Sequence, residues 1–297
     1  YRIDQHPSMS KHPVTPAKEG DLRDHLSLQC DYKSGLINVL DLQLPVNELQ
    51  QKLAKLSAEN EVVFFDGIYD SQMKILGDLL ENSVEAKKPF FTVGSSGVGK
   101  SLGDHWQETG QLSEKKNWEE LAESKPVLVL SGSVSPVTAE QIEYALENGF
   151  SEVEIEPESL FGKTEEFIQK YADHAIQLLN EGKSVIFHTS IGPDDPRLQK
   201  TKMITEEIGW NSVQARKELP KRFGAILGQT AKKVFSEKQL KRLIIAGGDT
   251  SSYTARELGI SAVEMIVPLY KGAPLCRVHS ENASIHQVEI NLKGGQV

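Results

Sequence analysis

The chain has 297 residues, 38% of them apolar and 25% charged, with 23 Gly, 13 Pro and a formal net charge of −9. That composition describes a folded globular protein long enough for two domains, and its negative charge argues against non-specific attraction to nucleic acid or anionic lipid. Cys30 and Cys276 lie far apart, no Cys/His spacing marks a metal centre, and no apolar run reaches the roughly 18 residues of a membrane span, so a cytoplasmic protein is expected.

Pro7, Pro13 and Pro16 make the opening a loop that leads into a short helix around Asp21 to Leu26. Leu36 to Leu42 reads as a strand, and Val46 to Leu56 as an amphipathic helix ending near Asn60. Strand Glu61 to Asp66, helix Ser71 to Leu80 and strand Pro89 to Val93 follow, the last running into a Gly/Ser loop. Glu108 to Lys125 is polar and charge-rich and marks a domain boundary. Beyond it come strand Val127 to Leu130, helix Thr138 to Glu147 with Gly149 as its C-cap, and strand Val153 to Ile155. Helix Glu165 to Leu179, strand Ser184 to His188 and a long helix from Val213 to Phe235 complete the middle, with a kink or break expected at Pro220. Strand Leu243 to Ala246, helix Ser252 to Leu258 and strands Ala262 to Ile266 and Gln287 to Leu292 close the chain. Alternating strands and helices predict an α/β protein of two domains, each a mostly parallel sheet flanked by helices.

Three glycine-rich loops follow predicted strands, where bare backbone N–H groups at helix starts attract anions. Gly94-Ser95-Ser96-Gly97-Val98-Gly99-Lys100-Ser101 matches the phosphate-cradling pattern G-x-x-x-x-G-K-[ST]. A P-loop enzyme also needs an aspartate at a strand end for Mg²⁺, and the best candidate, Asp66, precedes the loop rather than following it. Ser131-Gly132-Ser133-Val134-Ser135 allows close approach of a ligand, but a tight turn capped by Ser135 or Thr138 explains it equally well. In Gly247-Gly248-Asp249-Thr250-Ser251 the paired glycines leave more room than a cap demands, and Asp249 suits a metal or a cap. Lys293-Gly294-Gly295 places a cation beside two glycines, which suits a phosphate.

Together with His12-Pro13-Val14-Thr15-Pro16, and with Asp66 and Asp70, these segments occur in the order that resembles the four-carbon acid sugar kinase family across nearly the whole chain. The resemblance implies an ATP-dependent kinase of tetronate or 3-oxo-tetronate acids that uses ATP and Mg²⁺ as cofactors. It assigns residues 1–118 to a substrate domain and 126–297 to a nucleotide-binding domain. Ser131, Gly247, Gly248, Asp249, Thr250 and Gly295 fall at ATP-contacting positions, and Lys293 is a candidate phosphate partner or a surface charge. Gly94, Ser95, Ser96, Gly97 and His12 fall on the substrate side, where Lys100 and Ser101 are not fixed features. The family opens with a strand ending Ala-Asp-Asp-x-Thr-Gly-Ala that has no counterpart here; the chain also lacks an initiator Met, and a fragment is expected. No residue is singled out as a general base. A homodimer is an allowed assembly, with no nucleic-acid or membrane partner. Two other readings stay open: a P-loop enzyme built on Gly94 to Ser101, and a non-catalytic two-domain sugar-acid sensor. His6, His25, His105, His188, His279 and His286 stand singly and read as structural or exposed, and Trp106 and Trp118 as packing residues.

Overall fold

The computed structural model describes residues 2–6, 9–10, 16–83, 91–113, 117–270 and 272–294. The chain divides into two compact units, Tyr1–Lys116 and Asn117–Val297.

The first unit holds α1 (Leu22–Ser27), β1 (Ser34–Ile37), α2 (Val46–Glu59), β2 (Val62–Phe65), α3 (Asp70–Asn82) and α4 (Ser96–Glu108). β1 and β2 pair in parallel, with Ser34 opposite Val62. Leu49 and Leu53 sit one helical turn apart on α2 and meet Ile37, Leu76 and Leu79 in one buried cluster. Gly77 lets α3 and α4 touch: a Cβ there would overlap the Ser101 carbonyl oxygen. Of the expected strand at 89–93, residues 89 and 90 lie outside the described residues. Phe91 to Val93 is not a strand; among the described residues no strand pairs with it, and Phe91 and Val93 are exposed.

The second unit contains β3 (Leu128–Ser131), α5 (Pro136–Glu147), β4 (Ser151–Glu154), α6 (Thr164–Asn180), β5 (Val185–His188), α7 (Pro196–Glu207), α8 (Ser212–Glu237), β6 (Arg242–Ala246), α9 (Gly248–Leu258), β7 (Ile260–Tyr270), β8 (Ala273–Ser280) and β9 (Glu289–Lys293). Its sheet runs β4-β5-β3-β6-β9-β8-β7. The first five strands in that order are parallel, and β7 and β8 form an antiparallel hairpin at the edge. Alternate residues face opposite sides. Leu128, Leu130, Phe187, Leu243 and Ile245 pack against α6, α8 and α9 through Ile168, Ala175, Ile226, Leu227 and Leu258. Val127, Val129 and Ile186 pack against Ile142 of α5 on the other side.

Three expectations change. α8 continues through Pro220, because the Arg216 carbonyl that loses its amide partner lies on an exposed part of the helix. α7 carries no apolar stripe, so periodicity does not mark it, although Asp195 caps it and Pro196 occupies its first position. α9 starts at Gly248, so Gly248 to Ser251 form its first turn rather than a free loop.

Among the described residues, no helix is long and apolar enough to cross a membrane.

Candidate functional site

Register aligns the carboxyl ends of the five parallel strands. Glu154 lies opposite His188, His188 opposite Ser131, Ser131 opposite Ala246, and Ala246 opposite Lys293. From β3 the chain departs through α5 toward β4, and from the adjacent β6 it departs through α9 toward β7, on the other face of the sheet. The strand order thus reverses between β3 and β6, and open α/β sheets bind ligands in the crevice at such a point. Gly132 and Gly247 leave the sheet there.

The two glycines interlock the loops. Gly132 N–H donates to the Ala246 carbonyl at 2.9 Å, and Gly247 N–H to the Lys293 carbonyl at 3.0 Å. A Cβ on Gly132 would lie within 2.6 Å of Thr250 Cβ and Oγ1. Gly247 has φ +119°, and its Cβ would stand 3.1 Å from Gly132 C and Ser133 N. Only glycine meets both demands at 247. Thr250 is therefore a packing contact for Gly132, while a Cβ on Gly248 would meet nothing. Gly224 on α8 seats the start of α9, since a Cβ there would lie 3.1 Å from the Thr250 carbonyl oxygen.

The strand-to-helix turns are not satisfied by caps. Ser135 occupies the N-cap position of α5 and Pro136 its first position, yet the Ser135 hydroxyl caps nothing; it is buried without a partner among the described residues. Ser131 Oγ, at 0% exposure, is equally unpartnered. α9 begins at Gly247 with no side-chain cap, leaving its first-turn amides free of one. Lys293 reaches across from β9: its Nζ donates to Thr138 Oγ1 and to the Gly294 carbonyl, both at 3.1 Å. Among the described residues Lys293 makes no ion pair, and burial pushes its amine below the ordinary lysine range. A cation at the positive end of α5, on a strand-end crevice that also holds two unsatisfied hydroxyls, is a local charge arrangement that an anion would complete. Asp249 is exposed in the first turn of α9. His12 and Gly295 lie outside the described residues.

In the first unit the Gly-Lys-Ser match is not a phosphate loop. Residues 96–101 are already helical in α4. Lys100 pairs with Asp104 at 2.6 Å. Ser101 is buried, with its hydroxyl donating to the Gly97 carbonyl at 2.8 Å and set against Met73 of α3. Lys100 is thus engaged in an exposed ion pair within α4, and Ser101 is committed to helix packing. Gly94, Ser95 and Ser96 are exposed at the N-terminal end of α4, and Asp66 and Asp70 are exposed between β2 and α3.

His188 is more than a singly placed structural residue. It is 0% exposed; Arg197 Nη2 donates to its Nδ1 at 3.0 Å, and its Nε2 lies 2.9 Å from Glu152 Oε2. A guanidinium can only donate, so Nδ1 accepts and Nε2 carries the proton. Glu152, Glu154 and His188 are close enough together to surround a cation, but a protonated Nε2 leaves no lone pair for one. Burial and the Arg197 charge push the His188 pKa down, against Glu152 and Glu154, which raise it. No local sequence signal marks His188, which strand register brings to the crevice, and Thr138, readable only as a cap, meets Lys293 from the start of α5.

Comparison with known proteins agrees with this arrangement. A family model described as a nucleotide-binding C-terminal domain matches residues 128–297. A second, described as a sugar-binding N-terminal domain, matches residues 1–102. The chain is 34% identical over 301 residues to a 3-oxo-isoapionate kinase of Paraburkholderia graminis, covering 100% of this chain and 62% of that protein. It is 25% identical over 268 residues to a 3-oxo-tetronate kinase of Pseudomonas savastanoi pv. phaseolicola, covering 90% of this chain and 57% of that protein. The chain therefore spans less than two thirds of the length of these relatives. A solved structure described as a putative tRNA synthase from Salmonella typhimurium LT2 shares the fold with a TM-score of 0.71 at 21% identity, over 98% of this chain and 63% of that one. A Haemophilus influenzae protein shares it with a TM-score of 0.63, at 21% identity over 98% of this chain and 64% of that one. With a sugar-binding and a nucleotide-binding domain matched in order along one sequence, the chain belongs to the four-carbon acid sugar kinase family.

Proposed function

We propose that this chain carries the nucleotide-binding part, and a portion of the substrate-binding part, of an ATP-dependent kinase that phosphorylates a hydroxyl of a four-carbon sugar acid or a 3-oxo relative. The observation that carries this reading is the unsatisfied anion site at the β3/β6 switch point. Lys293 lacks a carboxylate partner among the described residues, the Ser131 and Ser135 hydroxyls are buried without partners, and α5 and α9 begin without side-chain caps. Residues 126–297 form the nucleotide domain and residues 1–118 the sugar-acid side. The phosphates of ATP lie along Ser131 to Ser135 and the start of α9, Lys293 neutralises phosphate charge, and Asp249 is the carboxylate open to Mg²⁺. Gly248, where a Cβ has open space, leaves room for the nucleotide. In such transfers positioning and charge neutralisation supply most of the rate, which suits a site built from backbone amides, hydroxyls and one lysine. The sugar acid is held by the other domain, where Gly94 to Gly97 mark the start of α4. ATP use fits a cytoplasmic enzyme.

The relatives' names favour 3-oxo-tetronate and 3-oxo-isoapionate as first substrates to try. The test is transfer of label from γ-labelled ATP, with Mg²⁺, to 3-oxo-tetronate, 3-oxo-isoapionate, threonate and erythronate in the whole protein. Labelled phospho-acid is the expected product. Binding of a sugar acid with no affinity for ATP would instead favour a sensor.

A further inference from the structure

Arg197 joins both ends of the segment that follows β5. Its Nη1 donates to the His188 carbonyl at 3.1 Å and its Nη2 to His188 Nδ1 at 3.0 Å. Its Nε and Nη2 also donate to Asp195 at 3.0 and 2.6 Å. Asp195 in turn accepts from Ile191 N–H at 2.7 Å and from Arg197 N–H at 2.9 Å, capping α7.

The segment held in this way lies against the anion site. Thr189 N–H donates to the Ser131 carbonyl at 3.0 Å, and the buried Ser190 hydroxyl reaches the Ser133 carbonyl at 3.4 Å. Gly192, at φ +79°, is close to the first turn of α5: a Cβ there would be 3.1 Å from Ala139 Cβ. One face of the Ser131 to Ser135 turn therefore rests on Thr189 and Ser190, and Gly192 backs the helix that follows it.

We propose that Asp195, Arg197 and His188 form a clamp that positions this turn for phosphate, with His188 acting as a neutral acceptor at Nδ1. The inference rests on the nucleotide reading above. Arg197 needs an acceptor at His188 to hold three groups at once, and a protonated imidazole would offer it a donor instead. The charged groups facing His188 are Glu152 and Glu154 from β4 and Arg197 from α7. Glu152 accepts the hydrogen bond from Nε2–H, which leaves Nδ1 to Arg197 alone. His188 is thus a positioning residue that touches no nucleotide.

The experiment is ADP affinity by calorimetry in the whole chain, for wild type, His188→Phe, His188→Asn and Arg197→Lys, each first checked for folding. His188→Phe fills the space without an acceptor, and about tenfold weaker ADP binding is expected. His188→Asn keeps an acceptor at the Nδ1 position, and ADP binding within about threefold of wild type is expected. Arg197→Lys keeps the charge but cannot span the three groups, and it carries the test if His188→Phe does not fold. Burial holds the folded imidazole neutral below the ordinary histidine value, so wild-type affinity should fall relative to His188→Asn only once the pH drops well under that value. His188→Phe binding ADP as wild type does, or His188→Asn losing as much as His188→Phe, would overturn the clamp. A wild type that binds no ADP would overturn the nucleotide reading itself. Nitrogen chemical shifts separate the two, because the clamp requires an unprotonated Nδ1 on His188 at neutral pH whatever the nucleotide result, and a protonated Nδ1 would sink it.

Discussion

Lys293 and Thr138 are 155 positions apart, and their contact is the smallest piece of the proposed phosphate site. Replacing the lysine by methionine keeps the stem and removes the charge. ATP affinity should fall by about 10- to 100-fold, the range of a charge-assisted hydrogen bond of about 1.5–3 kcal/mol, with the thermal midpoint unchanged. Calorimetry on folded Lys293→Met checks this, and unchanged affinity would remove Lys293 from the site. His188 and Asp195 give the second unit a pH dependence. Burial holds His188 below its ordinary value, so the unfolded chain binds the extra proton first and stability is lost as pH falls below about 6.5. Arg197 holds Asp195 well below the usual carboxylate range, so its contribution is present above about pH 4 and is lost on further acidification. Denaturant titrations should show both steps, and His188→Asn should lack the first; an identical slope in that variant would contradict the assignment. At this scale the sequence was partly legible. Ser131 and Gly247 announce themselves by residue type, whereas Thr138, His188 and Arg197 acquire roles only through strand register and the Asp195 cap.

Among the elements, the β3 and β6 turns fit each other through one missing side chain. Gly132→Ala places a methyl against Thr250 and should cost about 1–3 kcal/mol, as overpacking does, with partial recovery in the Gly132→Ala/Thr250→Gly pair. Gly248→Ala meets no protein atom, so the melting temperature should hold while ATP affinity falls. Equal losses of stability in the two single variants would argue that position 248 is a packing site. Strand and helix alternation was readable from apolar runs and caps. α7 escaped because its exposed surface carries no apolar stripe, and β8 because a hairpin strand paired on both sides has no helix between it and β7 to announce it. The Gly-Lys-Ser match misled for a plain reason: a short pattern records residue types, while the partner of Ser101 is the close α3 contact that Gly77 permits.

For the whole molecule, the ordering of short segments carried more information than any one of them. The most conspicuous motif lies in the first unit, and the quieter ones meet in the second, at a switch point that depends on strands far apart in sequence. Family resemblance identified the quieter loops, and topology supplies the physical reason why they lie together. The most direct measurement compares ATP binding by Lys100→Ala and Lys293→Met in the intact chain. Lys100 has only an exposed ion pair with Asp104 to lose, so Lys100→Ala should bind ATP as wild type does while Lys293→Met binds far more weakly. Loss of binding in Lys100→Ala with full retention in Lys293→Met would contradict the placement of the nucleotide.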